Sequence, residues 1–219
     1  MNQGSNSYYR HLGVTGMKKV AHDYHVEDDI AFAKKYSRGS QEILDLACGY
    51  GRVSIPLAAA GHSVTGIDLS PVLIKEARQS VRKKKLKINF DIGDMRQLPY
   101  KNESFDAVLC LWNSLNHILA PKDQLRVLNE IHRVLRPGGK AFLSVSNGES
   151  KRRRLLLKQK GSGSGKRVVT EKIAGIEVSL YFQDRRSLTQ LCRTSRFKDF
   201  NVRFKNMNGR RRVAVFLKK

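Results

Sequence analysis

The chain of 219 residues is poor in several features that mark particular protein classes. Its three cysteines, Cys48, Cys110 and Cys192, lie far apart without CxxC or Cys/His spacing, which argues against a disulfide framework and a structural zinc site. No apolar run approaches the roughly 20 residues that a membrane-spanning helix needs. Residues 1–16 are polar and lack the apolar stretch of a secretory signal peptide. We therefore expect a cytoplasmic protein with no metal site and no membrane partner.

Acidic residues are also scarce, with 19 Asp and Glu against 42 Lys and Arg, a formal net charge of +23. Residues 151–219 carry 21 basic and 4 acidic side chains, a net charge of +17, whereas residues 1–150 carry 21 and 15, a net charge of +6. A solvated basic surface and a face that binds a polyanion such as RNA both account for this excess. The arginine triplets at 152–154 and 210–212 carry much of it, but no RRM, KH or zinc-finger pattern accompanies them.

Short apolar segments alternate with helical segments along most of the chain. The pattern predicts strands at 43–46, 63–68, 88–92, 105–111 and 140–145, and helices at 20–36, 53–60, 71–84 and 121–135. Such alternation predicts an α/β fold with a parallel sheet and helices on both faces. Two final strands, 200–206 and 212–217, flank Asn208-Gly209, a strong hairpin signal. The last strand is apolar on both faces, which places it inside the sheet.

We interpret the chain as a single domain, 1–219, built from four parts. We expect residues 1–38 to form an N-terminal helical cap and residues 39–150 to form the core, which the motifs described below indicate to be cofactor-binding. Residues 151–167 are basic and contain Gly-Ser repeats from Gly161 to Gly165, a composition typical of a flexible linker, whether native or engineered. Residues 168–219 contribute the strands and the helix that complete the sheet.

The turn after the first strand, DLACGYG at residues 45–51, is rich in glycine. A P-loop needs Gly-Lys-Ser/Thr at this place to hold phosphates, but Gly51 is followed by Arg52 and Val53. A dinucleotide fingerprint needs a third glycine three residues after the second, and that position is Ser54. The remaining candidate ligand is a nucleoside without phosphates.

DLACGYG resembles the first motif of class I S-adenosylmethionine-dependent methyltransferases. Four later pieces are similar to further motifs of that family: GIDLS at 66–70, GDM at 93–95, the strand that begins with Phe105-Asp106, and LRPGG at 135–139. Each piece alone is a weak signal, whereas five in order at suitable spacing, over about residues 40–147, are a strong one. The resemblance implies a Rossmann-like seven-stranded sheet, parallel except for a C-terminal antiparallel hairpin strand, and S-adenosyl-L-methionine as the cofactor.

The resemblance also implies a set of cofactor contacts. Asp45 would lie near the amino-acid end, Asp68 would accept both ribose hydroxyls, and Asp94 would accept from the adenine amino group. Structural roles remain open for Asp45 and Asp94 as turn or helix-capping residues, and for Tyr24 as a core residue of the leading helix. The cofactor-binding set is Tyr24, Asp45, Ala47, Gly49, Gly51, Asp68, Leu69, Asp94, Met95 and Leu111.

The segment LWNSLNH at residues 111–117 follows the fourth strand, where the methyl acceptor would lie. It lacks the [DNS]PP[YFW] tetrapeptide of enzymes that methylate base amines or glutamine, and the Pro-Cys nucleophile of cytosine C5 enzymes. It is similar instead to the small-molecule branch, in which a histidine here can act as a base. His117 is therefore the candidate catalytic residue, with a structural histidine as the alternative.

These observations predict a methyltransferase that acts on a nitrogen or oxygen nucleophile of a small molecule. One alternative is an RNA methyltransferase that uses the basic C-terminal region. The other is a scaffold that binds the cofactor without turnover, and it gains weight if the Gly-Ser segment replaced part of the protein.

Overall fold

A computed structural model describes residues 9, 11–19, 27–149, 167–173, 176–207 and 210–219. The helices of these residues are α1 (residues 11–19), α2 (Glu27–Tyr36), α3 (Ser54–Ala58), α4 (Pro71–Lys84), α5 (Pro121–Val134) and α6 (Arg185–Thr194). The strands are β1 (Glu42–Leu46), β2 (Ser63–Asp68), β3 (Asn89–Ile92), β4 (Phe105–Cys110), β5 (Leu135–Val145), β6 (Val168–Ile173), β7 (Ile176–Tyr181), β8 (Asp199–Met207) and β9 (Arg210–Lys218). A short 3-10 helix, η1 (Ser114–His117), follows β4.

The main sheet has seven strands in the order β3-β2-β1-β4-β5-β9-β8. Strands β1 to β5 are parallel to one another, whereas β9 is antiparallel to both β5 and β8. The predicted α/β class, with a Rossmann-like seven-stranded sheet and a C-terminal antiparallel hairpin strand, is confirmed. Because β9 lies between β5 and β8, its residues on both faces, including Ala214 and Val215, are buried.

Apolar residues cover both faces of this sheet, as the alternation of strands and helices predicts. Ile43 and Leu44, adjacent in β1, belong to different clusters because successive side chains of a strand point to opposite faces. The cluster around Ile43 includes residues of α2 and α3, and the cluster around Leu44 includes residues of α5 and α6. The sheet is therefore covered by apolar residues on both faces.

Helix α4 begins and ends where its sequence indicates. Ser70 caps the N-terminus by accepting a hydrogen bond from the Leu73 amide, and Pro71 occupies the first helical position. Three basic residues in the last turn, residues 82–84, lie at the negative end of the helix dipole, which accounts for this basic run structurally.

Strand β5 begins at Leu135, five residues earlier than the sequence pattern predicts. The predicted Pro137-Gly138-Gly139 turn therefore lies within the strand, where Gly138 has a φ of 78°. The chain end stabilises this conformation, since the Gly138 amide donates to the Lys219 carbonyl and the Lys219 amide donates to the Gly139 carbonyl.

Strands β6 and β7 pair with each other in a separate two-stranded sheet. The prediction that the strands of residues 168–219 complete the main sheet is therefore wrong for β6 and β7, although β8 and β9 do complete it. The reason is that the β6–β7 hairpin lies in the connection between β5 and α6, beside η1, where Asn116 Nδ2 donates to the Tyr181 carbonyl at 2.7 Å.

Some sequence predictions fall outside the described residues. These are the first part of the helix at 20–36, almost all of the linker at 151–167, and the Asn208-Gly209 turn, although the flanking strands β8 and β9 do pair. Among the residues that the structure describes, no helix has the length and apolar character needed to cross a bilayer.

Candidate active site

The predicted site residues meet at the carboxyl ends of β1, β2 and β4. The strand order of the sheet changes direction between β1 and β4, and ligands of open α/β sheets bind at such a switch point. Two adjoining hollows lie here, and Ala47 lines both of them. The Asp68 hollow is also lined by Leu69, Asp94 and Met95, and the Asp45 hollow by Gly49 and Leu111, so these hollows contain most of the predicted cofactor set.

Two predicted residues stand apart from that cluster. Tyr24 lies outside the described residues. Gly51 lines neither hollow, and a Cβ built on it would lie 3.0 Å from Phe90 Cζ and 3.2 Å from Ile55 Cδ1. With its φ of 81°, Gly51 therefore allows the loop to pack closely against α3 and β3, which is a different role from the predicted cofactor contact.

Asp68, at the end of β2, holds the glycine loop in place. Its Oδ2 accepts the Gly49 amide at 2.9 Å, and its Oδ1 accepts the Ser70 amide at 2.9 Å. Burial raises the pKa of the Asp68 carboxyl, and these backbone hydrogen bonds act in the opposite direction. A carboxylate has about four lone-pair sites. Asp68 therefore keeps acceptor capacity for the hydroxyls of a ligand.

Asp45, at the end of β1, is buried next to the start of α3. Its Oδ2 accepts a hydrogen bond from Ser54 Oγ at 2.5 Å. Burial raises the pKa of Asp45, while the Ser54 hydrogen bond and the charge of Arg52 lower it. The resulting pKa is about 6, above the usual value for an aspartate. Ser54, which occupies the position of the missing third glycine, is thus a site residue that sequence reasoning did not identify.

Asp94, in the turn after β3, is held by Arg96. The Arg96 amide donates to Asp94 Oδ1 at 2.8 Å, and its Nη2 donates to Oδ2 at 2.6 Å. Burial acts to raise the pKa of Asp94, but the Arg96 hydrogen bonds outweigh it and the pKa is lowered. Arg96 Nη1 also contacts Asp123 of α5 at 3.3 Å. Asp94 is therefore an anionic hydrogen-bond acceptor in the Asp68 hollow. Arg96 fixes its orientation and is itself held by α5.

Residues before α2 contact both the cofactor side and the acceptor side of the site. Met17 lines the Asp45 hollow, and Lys18 Nζ donates to Glu76 of α4 at 2.8 Å. Tyr9, near the start of this region, places its hydroxyl 2.9 Å from Nε2 of His117. The expected N-terminal cap therefore includes a tyrosine that contacts the candidate base.

His117 lies at the end of η1 with only 7% of its surface exposed. Burial lowers the pKa of His117 to about 4, so its imidazole is neutral near pH 7. The neighbouring Asn116 fixes η1 to β7 and to the residue after β5, because it donates to the Tyr181 carbonyl and accepts the Ser146 amide at 3.1 Å. Because the imidazole of His117 is neutral, one of its ring nitrogens is able to accept a proton or a hydrogen bond.

The turn between β4 and η1 has an unusual backbone. Trp112 and Asn113 have φ values of 62° and 64°, a region that residues other than glycine rarely adopt and that is enriched at functional sites. Ser144 of β5 holds the turn by accepting both backbone amides, one on its hydroxyl and one on its carbonyl, each at 3.1 Å. Arg212 Nη1 donates to Asn113 Oδ1 at 2.6 Å.

The contact of Arg212 corrects one expectation for the arginine triplet at 210–212. Arg212 is 7% exposed and holds the Asn113 turn, so this side chain is not part of a polyanion-binding surface. The sequence could not show this, because Arg212 and Asn113 are 99 positions apart. The other triplet, residues 152–154, lies outside the described residues.

The residues of the two hollows fit S-adenosylmethionine. The Asp68 hollow combines two carboxylates, Asp68 and Asp94, with the apolar side chains of Ile67 and Ile118, as an adenosyl group requires. The Asp45 hollow adds a buried carboxylate beside the glycine loop. In the part of the chain that the structure describes, no three His, Cys, Asp or Glu residues are grouped so that they could hold a metal ion.

Comparisons with known proteins agree with this arrangement. Residues 43–139 match the model of the methyltransferase domain family. YqeM of Bacillus subtilis, named as a methyltransferase, is 42% identical over 103 residues, which cover 47% of this chain and 41% of YqeM. A ubiquinone biosynthesis O-methyltransferase of Coxiella burnetii is 34% identical over 107 residues, 49% of this chain and 44% of that protein. This chain thus spans less than half of the length of either curated relative.

Among solved structures, a SAM-dependent methyltransferase of Methanosarcina mazei superposes with a TM-score of 0.70 at 25% identity, covering 81% of this chain and 92% of that chain. The fold, the two hollows and the match over residues 43–139 support assignment of this region to the class I S-adenosylmethionine-dependent methyltransferases. Residues 43–139 belong to the methyltransferase domain family, and the cofactor is S-adenosyl-L-methionine. The resemblance and the cofactor that the sequence motifs predict are confirmed.

Proposed function

We propose that this chain transfers a methyl group from S-adenosylmethionine to a nitrogen or oxygen nucleophile of a small molecule. The observation that carries the proposal is the position of Asp68, which pins the glycine loop through Gly49 and keeps acceptor capacity beside Asp94. When bound, S-adenosylmethionine supplies a methyl group that its sulfonium already activates. The protein's own contribution is then mainly to hold the reactants in position.

On the acceptor side, Tyr9 and His117 form a hydrogen-bonded pair that can receive a proton. In this proposal Tyr9 donates its phenolic proton to His117 Nε2 as it takes the proton that the nucleophile loses. His117 can accept a proton only when it is neutral, and its lowered pKa keeps it neutral near pH 7. The same burial disfavours the imidazolium, so His117 has to pass the proton on after the transfer. His117 and Met17, which lines the Asp45 hollow, are each only 7% exposed, so both side chains limit the access of water to this region.

A small acceptor is favoured by two considerations. The histidine side of the site is buried, since His117 is only 7% exposed and the Tyr9 hydroxyl contacts it, whereas a polymeric acceptor needs an open surface. The Coxiella burnetii relative is named for the biosynthesis of ubiquinone, a small molecule, although its similarity extends over less than half of that protein.

RNA is a second candidate acceptor, and one observation favours it. A groove at the start of α6 is lined by four arginines, Arg167, Arg185, Arg186 and Arg193. The groove lies at the sheet edge that carries the site, since the Arg185 amide donates to Glu149, just beyond the end of β5. Arg167 is already paired with Asp184 at 2.7 Å, which reduces the net positive charge there.

An acceptor screen with methyl-labelled S-adenosylmethionine tests the proposal. The protein is incubated with pools of small metabolites and, separately, with total RNA. We expect labelled product from the small-molecule pools alone. Product from RNA alone would contradict the proposal and identify RNA as the acceptor. Cofactor binding without product from either the small metabolites or the RNA would favour a scaffold without turnover.

A further inference from the structure

The arginine-lined groove at the start of α6 carries more positive charge than its surroundings balance. Of its four arginines, only Arg167 is paired with a carboxylate, that of Asp184. The other three, Arg185, Arg186 and Arg193, are exposed, and none of them forms an ion pair with a described residue. The groove therefore presents three guanidinium groups whose charge and N–H donors are available to a ligand.

Helix stability does not account for the arginines in the first turn of α6. That turn contains Arg185 and Arg186 and no acidic residue, although the positive end of the helix dipole disfavours cations there. The backbone amides of the turn are not the anion site, because Asp184 already caps the helix by accepting the Ser187 amide at 2.7 Å. The side chains of the arginines are thus the groups that can bind an anion, and a bound anion would offset their unfavourable position.

The chain segment between the two rims of the groove supplies no negative charge. Glu149 and Arg167 both line the groove, and the intervening residues 150–166 include seven Lys and Arg but no Asp or Glu. This segment therefore cannot neutralise the arginines of α6.

The dimensions of the groove suit a compact anion better than a polymer. Arg186 and Arg193 lie seven positions apart on one face of α6, which corresponds to about 10 Å along the helix. The groove volume of about 930 Å³ is within the range of small-molecule sites. Glu149 lies on its wall, so the phosphates of a long polyanion that continued past the arginines would meet a negative charge.

The groove lies close to the acceptor side of the site. Asn116, the neighbour of His117, donates to the Tyr181 carbonyl, and α6 begins at Arg185, four residues later. Four residues span at most about 14 Å, so the first arginine of the groove follows closely on the strand that η1 contacts. An elongated small molecule is therefore able to contact both η1 and the arginines.

We propose that the arginines of α6 bind a phosphate group of the methyl acceptor, so that the acceptor is a phosphorylated small molecule. A guanidinium pairs with phosphate oxygens through two parallel N–H···O bonds. A phosphate ester carries a charge of about −1.5 to −2 near pH 7, which matches several arginines better than a single carboxylate does. This inference rests on the proposed function, because it names the substrate class of the same reaction.

The first test divides the small-metabolite pools of the acceptor screen into two halves, one of them treated with a phosphatase that is removed before the assay. S-adenosylmethionine carries no phosphate, so the treatment does not affect the methyl donor. We expect at least about tenfold less labelled product from the treated half, because the charge-assisted hydrogen bonds to phosphate are lost.

Equal product from the two halves would overturn the inference and leave the proposed function intact. Product from RNA alone would show that the phosphates belong to a polymer, which contradicts both the inference and the proposed function. The absence of product from every pool would likewise contradict both.

The second test needs no acceptor and uses pyrophosphate as the probe in titration calorimetry. Arg186→Gln with Arg193→Gln should weaken pyrophosphate binding by at least about tenfold. Lys83→Gln with Lys84→Gln removes the same charge from the end of α4 and should change the affinity by less than about twofold. Equal losses in the two double variants would show that net charge alone attracts the anion, and a parent protein that does not bind pyrophosphate would also overturn the inference.

Discussion

The carboxylate of Asp68 accepts the backbone amide of Gly49 at 2.9 Å, which joins the end of β2 to the glycine loop after β1. The residue that the family resemblance assigns to the ribose thus also fixes the loop that approaches the ligand. The expected binding role and the structural role thus fall on the same acidic side chain, and we expect a substitution there to affect both.

Asp68→Ala should weaken binding of S-adenosylhomocysteine by about 1.5–3 kcal/mol, because charge-assisted hydrogen bonds to the ligand are lost. It should also lower the melting temperature, because the Gly49 and Ser70 amides lose their acceptor. Asp68→Asn retains one acceptor oxygen, so its losses of ligand affinity and of melting temperature should both be smaller. Calorimetry that shows unchanged affinity in Asp68→Ala would remove Asp68 from the binding site.

His117→Ala should lower turnover by about 10²- to 10⁴-fold while the affinity for the cofactor stays nearly constant, since a general base acts on the acceptor side. Tyr9→Phe should reduce turnover in the same direction, because it removes the hydroxyl that contacts His117 Nε2. Both rates are measured with the acceptor found in the screen. Turnover within a few-fold of the parent would mean that positioning alone suffices, and a matched loss of cofactor binding and melting temperature would mark His117 as structural.

The lowered pKa of His117 predicts a specific dependence of stability on pH. The unfolded chain protonates this histidine near pH 6.5, but the folded protein does so only near pH 4, so stability is lost as the pH falls between these values. Between pH 7 and pH 5 the parent should lose about 2 kcal/mol of unfolding free energy more than His117→Asn. Denaturant titrations at both pH values measure this difference. Equal losses in the two proteins would show that His117 is not buried in its neutral form.

Ser54→Ala should destabilise the protein by about 1–3 kcal/mol above pH 7, because it removes a hydrogen bond from a buried carboxylate. The Ser54 hydrogen bond lowers the pKa of Asp45, so its loss matters most where Asp45 is ionised, above its pKa of about 6. The destabilisation should therefore shrink at pH 5. In an Asp45→Asn background this pH dependence should vanish, and its persistence there would show that another group causes it.

The salt dependence of RNA binding should distinguish an RNA acceptor from a small-molecule acceptor. If the groove at α6 binds RNA, log affinity should fall with log salt by about 0.7 for each phosphate contacted, and Arg186→Gln with Arg193→Gln should reduce that slope. Lys83→Gln with Lys84→Gln, at the end of α4, is the matched control. We expect weak binding whose slope neither pair of substitutions changes. A steep slope that the groove pair alone reduces would favour RNA.

Local sequence signals determine most of the fold and much of the site. Ser70 and Pro71 predict the start of α4, and the glycine loop, Asp68 and Asp94 can be recognised from short motifs at strand ends. The contacts that complete the site join residues far apart in sequence, such as Tyr9 with His117, and no local pattern encodes such pairs. The position of the β6–β7 hairpin likewise depends on a tertiary contact, between Asn116 of η1 and Tyr181, and no local pattern encodes it.

The central claim is that the two hollows form a site for S-adenosylmethionine, and titration calorimetry of the parent protein tests it most directly. The account predicts binding of one S-adenosylmethionine per chain, and of its demethylated product at the same site by competition. NAD should not compete, because the loop lacks the third glycine of a dinucleotide fingerprint. Preference for NAD, or no binding of S-adenosylmethionine, would contradict the account.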